Sequence, residues 1–438
     1  MKFRTIAASL ALILPALAAC HSDDSLNPPP APDVPSGGAM FQRYVSMGNS
    51  ITAGFQSAGI NDSTQSRSYA VLLSKAMGTT FVYPSLNRPG CPPPFINNVT
   101  QRRDSLPGIP GPITGSSCFL RAGNVLPNNV AVPGARATEI LTNFGVPASA
   151  SNALTLLFLG GRNQLQAMQE QDPTFVSLWI GNNDVLGSLT SLSNPGNPLL
   201  VTPVNTFQTQ YTEILDSIQA EGASAVLISV ADVSVIPYAS SGSTYWCIKN
   251  QPACGVFPAA FPAGFTVNSN CAPLASGIPG ATGDSVLVPW PIGVPRIAAA
   301  AAGASTTLDC SVDADVVLPS EYATLRNAVT GYNAIIQSEA TARGFAFMDI
   351  NVPLTAAVMA GQIPPFPDLS QALSGGNVGF GPLFSLDGVH PSTTAHRLIA
   401  DNVADAINTT YSTALPVPVC GTVTCPVPTP PILAKSRH

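Results

Sequence analysis

The sequence predicts an α/β protein, a three-layer α/β/α sandwich in which helices cover both faces of a parallel sheet. Residues 174–180 are almost continuously apolar, as a strand buried on both faces of such a sheet requires. Helical patterns at 206–220 and 319–342 precede further apolar runs at 225–230 and 345–350. This alternation predicts right-handed βαβ units and therefore a sheet between two helical layers.

The first 40 residues predict an exported, lipid-anchored protein. A basic start and a short apolar core precede Leu-Ala-Ala and Cys20, and this core is shorter than the roughly 20 residues of a membrane span. The pattern resembles a bacterial lipoprotein signal, so residues 1–19 are predicted to be the signal peptide and Cys20 the lipidated residue. An ordinary signal peptide with a chance cysteine is the alternative. Proline-rich residues 20–40 then predict a tether, and His21 in place of Asp favours the outer membrane of the cell envelope.

The next elements are predicted to place two sharp turns at strand ends. Residues 45–48 predict a strand that ends at a turn exposing Ser50, and residues 129–132 predict a short strand followed by a turn at Gly134. Between them, a Pro- and Gly-rich insertion at 84–128 is predicted to be ordered and braced by Cys91 and Cys118. Helices are predicted at 63–77, from 137, and at 154–171.

A second insertion separates the last two βα units. Residues 237–318 are rich in Pro, Gly and Ala and carry the aromatic residues Tyr238, Tyr245, Trp246, Phe257, Phe261, Phe265 and Trp290. The insertion is predicted either to cap the active site as a lid or to be a disulfide-braced embellishment. A last helix is predicted at 392–411, and residues 413–438 form a predicted Pro-rich tail without catalytic residues.

Composition limits the classes of partner. The 438-residue chain has 45% hydrophobic and only 10% charged residues, with 43 prolines and 36 glycines, which predicts ordered but irregular loops in a folded protein. A net charge of −6 without any lysine- or arginine-rich run argues against a nucleic-acid partner.

The cysteines predict disulfides of an exported protein. Beyond Cys20 an even number is left, which suggests disulfide pairing, although the connectivity stays open. A zinc site is disfavoured because no Cys-x-x-Cys pair occurs and no histidine lies near the cysteines at ligand spacing. The remaining cysteines are Cys91, Cys118, Cys247, Cys254, Cys271, Cys310, Cys420 and Cys425.

Few histidines are available as a general base near neutral pH. His21 adjoins the predicted lipid anchor and His438 is the last residue, which leaves His390 and His396. Asp387 precedes His390 by three residues across a glycine turn, a spacing that lets the carboxylate orient one ring nitrogen while the other faces a serine such as Ser50. His396 has no carboxylate at such a spacing and is predicted to lie on a helix surface.

Donors for an oxyanion are predicted at two strand ends. The strand at 174–180 leads into Gly181-Asn182-Asn183-Asp184, where an asparagine amide is a neutral donor that does not compete as a nucleophile. The backbone N–H of Gly134 is a second candidate, since glycine lets a substrate approach closely. Carboxyl ends of parallel strands are where open α/β sheets bind ligands, so these groups are expected to converge with Ser50.

Four short blocks in this order resemble those of the GDSL-type, or SGNH, hydrolases. They are Gly48-Asn49-Ser50-Ile51, Val132-Pro133-Gly134-Ala135, Gly181-Asn182-Asn183-Asp184 and Asp387-Gly388-Val389-His390. The resemblance covers about residues 41–412 and implies a flavodoxin-like sheet with a triad of Ser50, His390 and Asp387. It also implies an oxyanion hole made by the Ser50 N–H, the Gly134 N–H and the Asn183 amide.

Two details depart from the family pattern or compete with it. Asn49 stands where the family usually has Asp. A literal Gly283-Asp284-Ser285-Val286 also occurs, but no buried strand precedes it and it falls after the Asn183 block, so Ser285 is rejected as the nucleophile. Asp184 is assigned to the structure around its block.

The resulting hypothesis is a serine ester hydrolase of the esterase or lipase type that forms an acyl-enzyme on Ser50 and needs no metal or cofactor. Its substrate is predicted to be a small-molecule, lipid or glycan ester, and the membrane is a partner through lipidated Cys20. The alternatives are a carbohydrate O-acetylesterase acting on exported glycans and a surface-anchored binding module that keeps the fold without turnover.

Overall fold

The fold is given by a computed structural model, in which the structure describes residues 38–105, 118–121, 125–142, 152–250 and 261–419. The predicted signal peptide and the predicted lipidation site Cys20 lie outside the described residues. So do Cys254, Cys420 and Cys425.

The strands, in chain order, are β1 (Tyr44–Gly48), β2 (Phe95–Asn97), β3 (Arg102–Arg103), β4 (Phe175–Trp179), β5 (Ser224–Ile228), β6 (Ala239–Ser241), β7 (Phe265–Val267), β8 (Leu287–Pro289), β9 (Thr306–Leu308) and β10 (Ala346–Met348). The helices are α1 (Ser50–Ala53), α2 (Asp62–Gln65), α3 (Tyr69–Ala76), α4 (Ala137–Leu141), α5 (Ala153–Leu159), α6 (Gln164–Gln169), α7 (Asn183–Leu189), α8 (Val204–Ala220), α9 (Gly242–Asn250), α10 (Trp290–Ala301), α11 (Pro319–Arg343), α12 (Asn351–Met359) and α13 (Thr393–Tyr411). Short 3-10 helices span Gly38–Phe41, Pro198–Leu200, Ser269–Cys271, Leu274–Ser276, Gly283–Ser285 and Ala372–Ser374.

The central sheet is parallel and has the strand order β1-β4-β5-β10. Residues 128–132 extend it beyond β1, because the Ser46 N–H donates to the Asn128 carbonyl at 2.9 Å and the Val130 N–H donates to the Ser46 carbonyl at 2.9 Å. Residues 128–132, which come second in the chain, therefore lie at one edge of the sheet next to β1. Strands β4, β5 and β10 follow in that order on the other side of β1. This is the flavodoxin-like order, and it confirms the predicted parallel α/β fold.

Alternate residues of each strand face two different helical layers. Val45 and Met47 of β1 pack in one core with residues of α8 and α11, such as Phe207 and Val329. The opposite face of the sheet packs in a second core with residues of α3 and α13, and it includes Tyr44, Phe175, Trp179, Leu72, Leu73, Ile399 and Val403. The sheet is therefore buried on both sides, which explains the continuous apolar run that predicted β4.

The long predicted helices at 206–220, 319–342 and 392–411 are found as α8, α11 and α13. The helix predicted at 154–171 is wrong as one element, because it is divided into α5 and α6. Gly160 ends α5 in a left-handed conformation with φ of 62°, which glycine adopts readily, and Gly161 follows with φ of 93°. The Asn163 side chain then caps the new N-terminus of α6.

The first insertion is ordered in its described residues. A disulfide joins Cys91 to Cys118, as predicted, and β2 pairs with β3 in a short antiparallel ladder. Asn98, just after β2, is buried, and its side-chain amide donates to the carbonyls of Val378 and Leu386 at 2.9 and 2.8 Å. The insertion therefore reaches the loop that carries Asp387.

The second insertion has a small core of its own. Strands β6 and β8 pair in antiparallel fashion and β7 pairs with β9 in parallel, around a cluster that includes Tyr245 and Phe265. The disulfide between Cys271 and Cys310 belongs to this cluster, and Cys247 is also disulfide-bonded. The insertion contacts the loop that carries Asp387 through Trp290, and its action as a lid stays a prediction.

The C-terminal segment is packed for several residues beyond α13. Leu415 is buried with the core on the α13 side of the sheet, and its N–H donates to the Asn408 side chain at 2.8 Å. The packed part thus extends past residue 412, where the tail was predicted to begin. In the described part of the chain, no helix combines the length and the apolar character needed to cross a membrane.

Candidate active site

Three strand ends meet at one edge of the sheet. Gly48 at the end of β1 is in register with Trp179 at the end of β4, and the Val132 N–H donates to the Gly48 carbonyl at 3.2 Å. Ser50 and Gly134 lie two residues beyond Gly48 and Val132, respectively. The carboxyl edge of the sheet therefore places the first three sequence blocks next to one another, as predicted.

The turn that carries Ser50 depends on Gly48 and Asn49. Gly48 has φ of 149°, and a Cβ there would lie 2.4 Å from the Trp179 carbonyl oxygen, so only glycine fits. The Asn49 side chain accepts a hydrogen bond from the Ile51 N–H at 3.0 Å and donates to the Asn182 side chain at 3.3 Å. Ser50 thus begins α1 on a turn that is fixed to the β4 loop.

Ser50, His390 and Asp387 form a continuous hydrogen-bonded chain. The Ser50 Oγ lies 2.8 Å from His390 Nε2, and His390 Nδ1 lies 2.8 Å from the Asp387 Oδ2. Because an ionised carboxylate only accepts, Nδ1 carries the hydrogen and Nε2 is left to accept the Ser50 hydroxyl proton. The ring of Phe55 packs against the imidazole, with 4.8 Å between ring centroids. This is the geometry of a Ser-His-Asp triad.

Several donors hold the Asp387 carboxylate. Its Oδ2 accepts from the Ala58 N–H at 2.6 Å, and its Oδ1 accepts from the Val389 and His390 N–H groups at 2.9 and 2.8 Å and from the Ser385 hydroxyl at 3.1 Å. Burial alone would raise the pKa of Asp387, but the neighbouring His390 and these hydrogen bonds lower the pKa to about 2. Asp387 is therefore ionised at neutral pH.

Both insertions also hold the loop of Asp387, which the sequence did not predict. Asn98 of the first insertion donates to the Leu386 carbonyl, and the indole N–H of Trp290 in the second insertion donates to the Asp387 carbonyl at 3.2 Å. Ser57 exchanges two further hydrogen bonds with this loop, one with Ser385 and one with Leu386. No sequence signal points to Asn98 or Ser57, whereas Trp290 belongs to the aromatic set noted in the second insertion.

Of the predicted oxyanion donors, Asn183 lines the same cavity as Ser50, and Gly134 lies two residues after Val132, which bonds to Gly48. One amide hydrogen of Asn183 is used by the Ala135 carbonyl at 2.9 Å, which orients the side chain and leaves its second hydrogen for a ligand. Gly134 is exposed. Among the described residues, neither the N–H of Ser50 nor that of Gly134 has an acceptor. These groups can therefore donate to a negatively charged oxygen at the serine.

Asp184 and Ser285 lie apart from this chemistry. The buried Asp184 accepts a hydrogen bond from the Ala137 N–H at 3.0 Å, which ties α7 to α4. Ser285 ends a 3-10 helix in the second insertion, where Asp284 accepts from the Leu274 N–H. The structure brings His390 to Ser50 rather than to Ser285.

The prediction for His396 is wrong. The residue is fully buried on the face of α13 that packs against α3, and its Nδ1 accepts from the Tyr69 N–H at 3.2 Å. Burial, and then the charge of His390, lower the pKa of His396 to about 3. His396 is therefore a neutral core residue.

A cavity of about 350 Å³ opens beside Ser50 and His390. Its walls include residues of α12 and α13 and residues that precede His390, among them Leu354, Ala357, Leu383, Phe384 and Ile399. Within the described ranges, no group of three or more His, Cys, Asp or Glu side chains is arranged to hold a metal ion.

The sequence model of one family matches residues 44–403, and that family is described as GDSL-like Lipase/Acylhydrolase. The chain belongs to this family. As a GDSL-like lipase/acylhydrolase, it is a carboxylic ester hydrolase with the SGNH hydrolase fold. No curated protein matches the chain.

Solved structures similar to this GDSL-like hydrolase include an extracellular lipase from Streptomyces rimosus, with 14% identity over 84% of this chain and 99% of the lipase and a TM-score of 0.36. A catalytic mutant of an acetylxylan esterase from Geobacillus stearothermophilus has 11% identity over 85% and 94% of the two chains and a TM-score of 0.34. The esterase EstA from Pseudoalteromonas sp., inhibited by monoethylphosphonate, has 12% identity over 84% and 98% and a TM-score of 0.32. Because these identities and TM-scores are low, the likenesses carry no information on the substrate.

Proposed function

We propose that this ester hydrolase works through an acyl-enzyme on Ser50. His390 Nε2 takes the Ser50 hydroxyl proton while Oγ attacks the ester carbonyl carbon. The N–H groups of Ser50 and Gly134 and the Asn183 amide then stabilise the tetrahedral oxyanion. Collapse of this intermediate breaks the bond to the alcohol oxygen, which receives the proton from His390.

In the second half-reaction, water attacks the acyl carbonyl and gives its proton to His390. Collapse of the second tetrahedral intermediate breaks the bond between the acyl carbon and Ser50 Oγ and releases the acid, and Oγ takes the proton back from His390. Asp387 stays ionised throughout, because its pKa of about 2 keeps the carboxylate charged, and it stabilises the imidazolium formed in each half-reaction.

The observation that carries this proposal is the pair of 2.8 Å contacts that join Ser50, His390 and Asp387. We expect Ser50→Ala to abolish hydrolysis of p-nitrophenyl butyrate and labelling by a fluorophosphonate probe, with an unchanged circular dichroism spectrum. Ser285→Ala is the matched control and should retain both. Activity retained by Ser50→Ala, or lost by Ser285→Ala alone, would contradict the assignment. An unlabelled, inactive but folded wild type would instead favour the binding-module alternative.

We also propose that the enzyme is a lipoprotein of the bacterial cell envelope, anchored through acylated Cys20 and located in the outer membrane. The signal-like residues 1–19 and the proline-rich tether support this. In a bacterial host, Cys20→Ala should lose incorporated palmitate and leave the membrane fraction, whereas Ser22→Ala should not. Density-gradient separation of the two membranes tests the location, and palmitate retained by Cys20→Ala would refute the anchor.

A further inference from the structure

The cavity beside Ser50 is a slot between two helices. Ala395, Leu398, Ile399 and Asn402 line it from α13, at the spacing of one helix face. Seven residues of helix correspond to about 10 Å of length at the rise of an α-helix. Another wall comes from α12 and the residues next to it, through Ile350, Pro353, Leu354, Ala356, Ala357 and Ala360.

The slot is apolar away from the triad. Beyond the residues of the catalytic end, its polar lining residues are Gln362 and Asn402, and none of its described lining residues is Asp, Glu, Lys or Arg. An apolar lining of this kind favours a hydrocarbon chain over a polar group. An acetyl group would leave most of the slot empty.

We propose that this slot holds the acyl chain of the substrate and makes the enzyme selective for medium-chain acyl esters; the inference rests on Ser50 being the nucleophile. A cavity of 150 Å³ accommodates benzene, so about 350 Å³ suits a chain on the order of ten carbons. Burial of each methylene favours binding by about fourfold, so chain length should strongly affect kcat/KM.

The slot suits the acyl group better than the alcohol because of the second half-reaction. The alcohol leaves from the space next to His390 Nε2, and the hydrolytic water must then occupy that space. An apolar slot offers a water molecule few hydrogen-bond partners, whereas it can hold the acyl chain of the intermediate while water reaches the carbonyl from the side of His390.

An isomeric pair of esters separates the two arrangements. Ethyl octanoate and octyl acetate have the same atoms but carry the long chain on opposite sides of the ester. We expect kcat/KM for ethyl octanoate to exceed that for octyl acetate by at least about tenfold, given about fourfold per buried methylene. Equal values, or a preference for octyl acetate or acetylated xylan, would overturn the inference.

Variants of α12 test the location of the chain. Ala360→Leu adds bulk at an exposed position of the slot just after α12, and Ala357→Leu adds it at a buried one, whereas the exposed Thr355, which does not line the slot, gives the matched control Thr355→Leu. Loss of room for about two methylenes should lower the ratio of octanoate to butyrate kcat/KM about tenfold. Both variants keeping the wild-type ratio would overturn the inference, as would an equal fall in Thr355→Leu.

The outcomes are distinguishable from failure of the proposed mechanism. If no ester of any chain length is hydrolysed, or if Ser50→Ala stays active, the assignment of Ser50 fails. If Ser50→Ala is inactive but wild type prefers acetyl esters, only the acyl slot fails. Inhibition by decanoate tests the slot without turnover of a long ester. We expect decanoate to inhibit the wild type competitively and to inhibit Ala360→Leu more weakly.

Discussion

His396 makes a pH-dependent contribution to stability that can be measured. Its Nδ1 accepts the Tyr69 N–H, so the ring hydrogen lies on Nε2, and within the described part of the chain Nε2 has no hydrogen-bond partner. Protonation would put a charge in the core and break the bond to Tyr69. These are the physical reasons why burial, followed by the charge of His390, lowers the pKa of His396 to about 3.

The sign and size of the effect follow from linkage. The unfolded chain binds a proton at His396 as the pH falls through the ordinary value of 6.5, but the folded chain does so only near 3. The stability is therefore fully present above pH 6.5 and is lost as the pH falls toward 3. At pH 4, about 2.5 units below the ordinary value, the free energy of unfolding should have dropped by about 3 kcal/mol.

His396→Asn is the informative perturbation, because its side-chain oxygen can still accept from Tyr69 but does not titrate. We expect urea unfolding, followed by tryptophan fluorescence at pH 7 and pH 4, to show a loss that is about 3 kcal/mol larger in wild type than in the variant. Asp387 and the other carboxylates are present in both proteins, so their effects cancel. The same loss in both proteins would refute the buried, neutral assignment.

Three further predictions concern the triad and its supports. Asp387→Asn should lower kcat roughly 10⁴-fold with the fold intact by circular dichroism, because an amide does not select the productive tautomer; near-normal kcat would argue against the triad. Trp290→Phe keeps a ring near Phe380 but removes the donor to the Asp387 carbonyl, so kcat should fall about fivefold at constant KM, as expected for about 1 kcal/mol; a change in KM alone would contradict this positioning role. Cys271→Ala with Cys310→Ala should lower the free energy of unfolding by about 4 kcal/mol, since the bond closes a long loop; unchanged urea unfolding would show that the loop is held otherwise.

The central fold could be predicted because burial on both faces leaves a direct mark on composition. Residues 174–180 and 225–230 are apolar because helices cover both sides of β4 and β5, and the structure places both strands there. The apolar composition of the strands does not indicate their order along the sheet. That order came from the resemblance to SGNH hydrolases, and the bonds of Ser46 to residues 128 and 130 bear it out.

The wrong or missing predictions have a common physical cause, because tertiary packing determines these features and the local sequence pattern does not show it. Helical periodicity continues from 154 to 171, but Gly160 ends the helix in a left-handed cap. His396 lies on a polar-looking helix, yet its face packs on α3. Asn98 and Trp290 hold the catalytic loop across long separations in sequence, and neither contact has a local signature.

The tertiary contacts of Asn49 also explain how asparagine fits at a position where the family usually has Asp. From sequence, Asn in place of Asp only removes a charge beside the proposed nucleophile. In the structure, Asn49 is 1% exposed, and its amide both caps the Ile51 N–H and donates to Asn182. A carboxylate could keep the cap, but it would bury a charge, and the Asn182 amide would have to turn over to donate to it. The tetrapeptide Gly283-Asp284-Ser285-Val286 matches the usual family motif but lies outside this arrangement of strand ends. The strand end at Gly48, its register with Trp179 and the reach of His390 therefore select Ser50, and the identity of residue 49 is secondary.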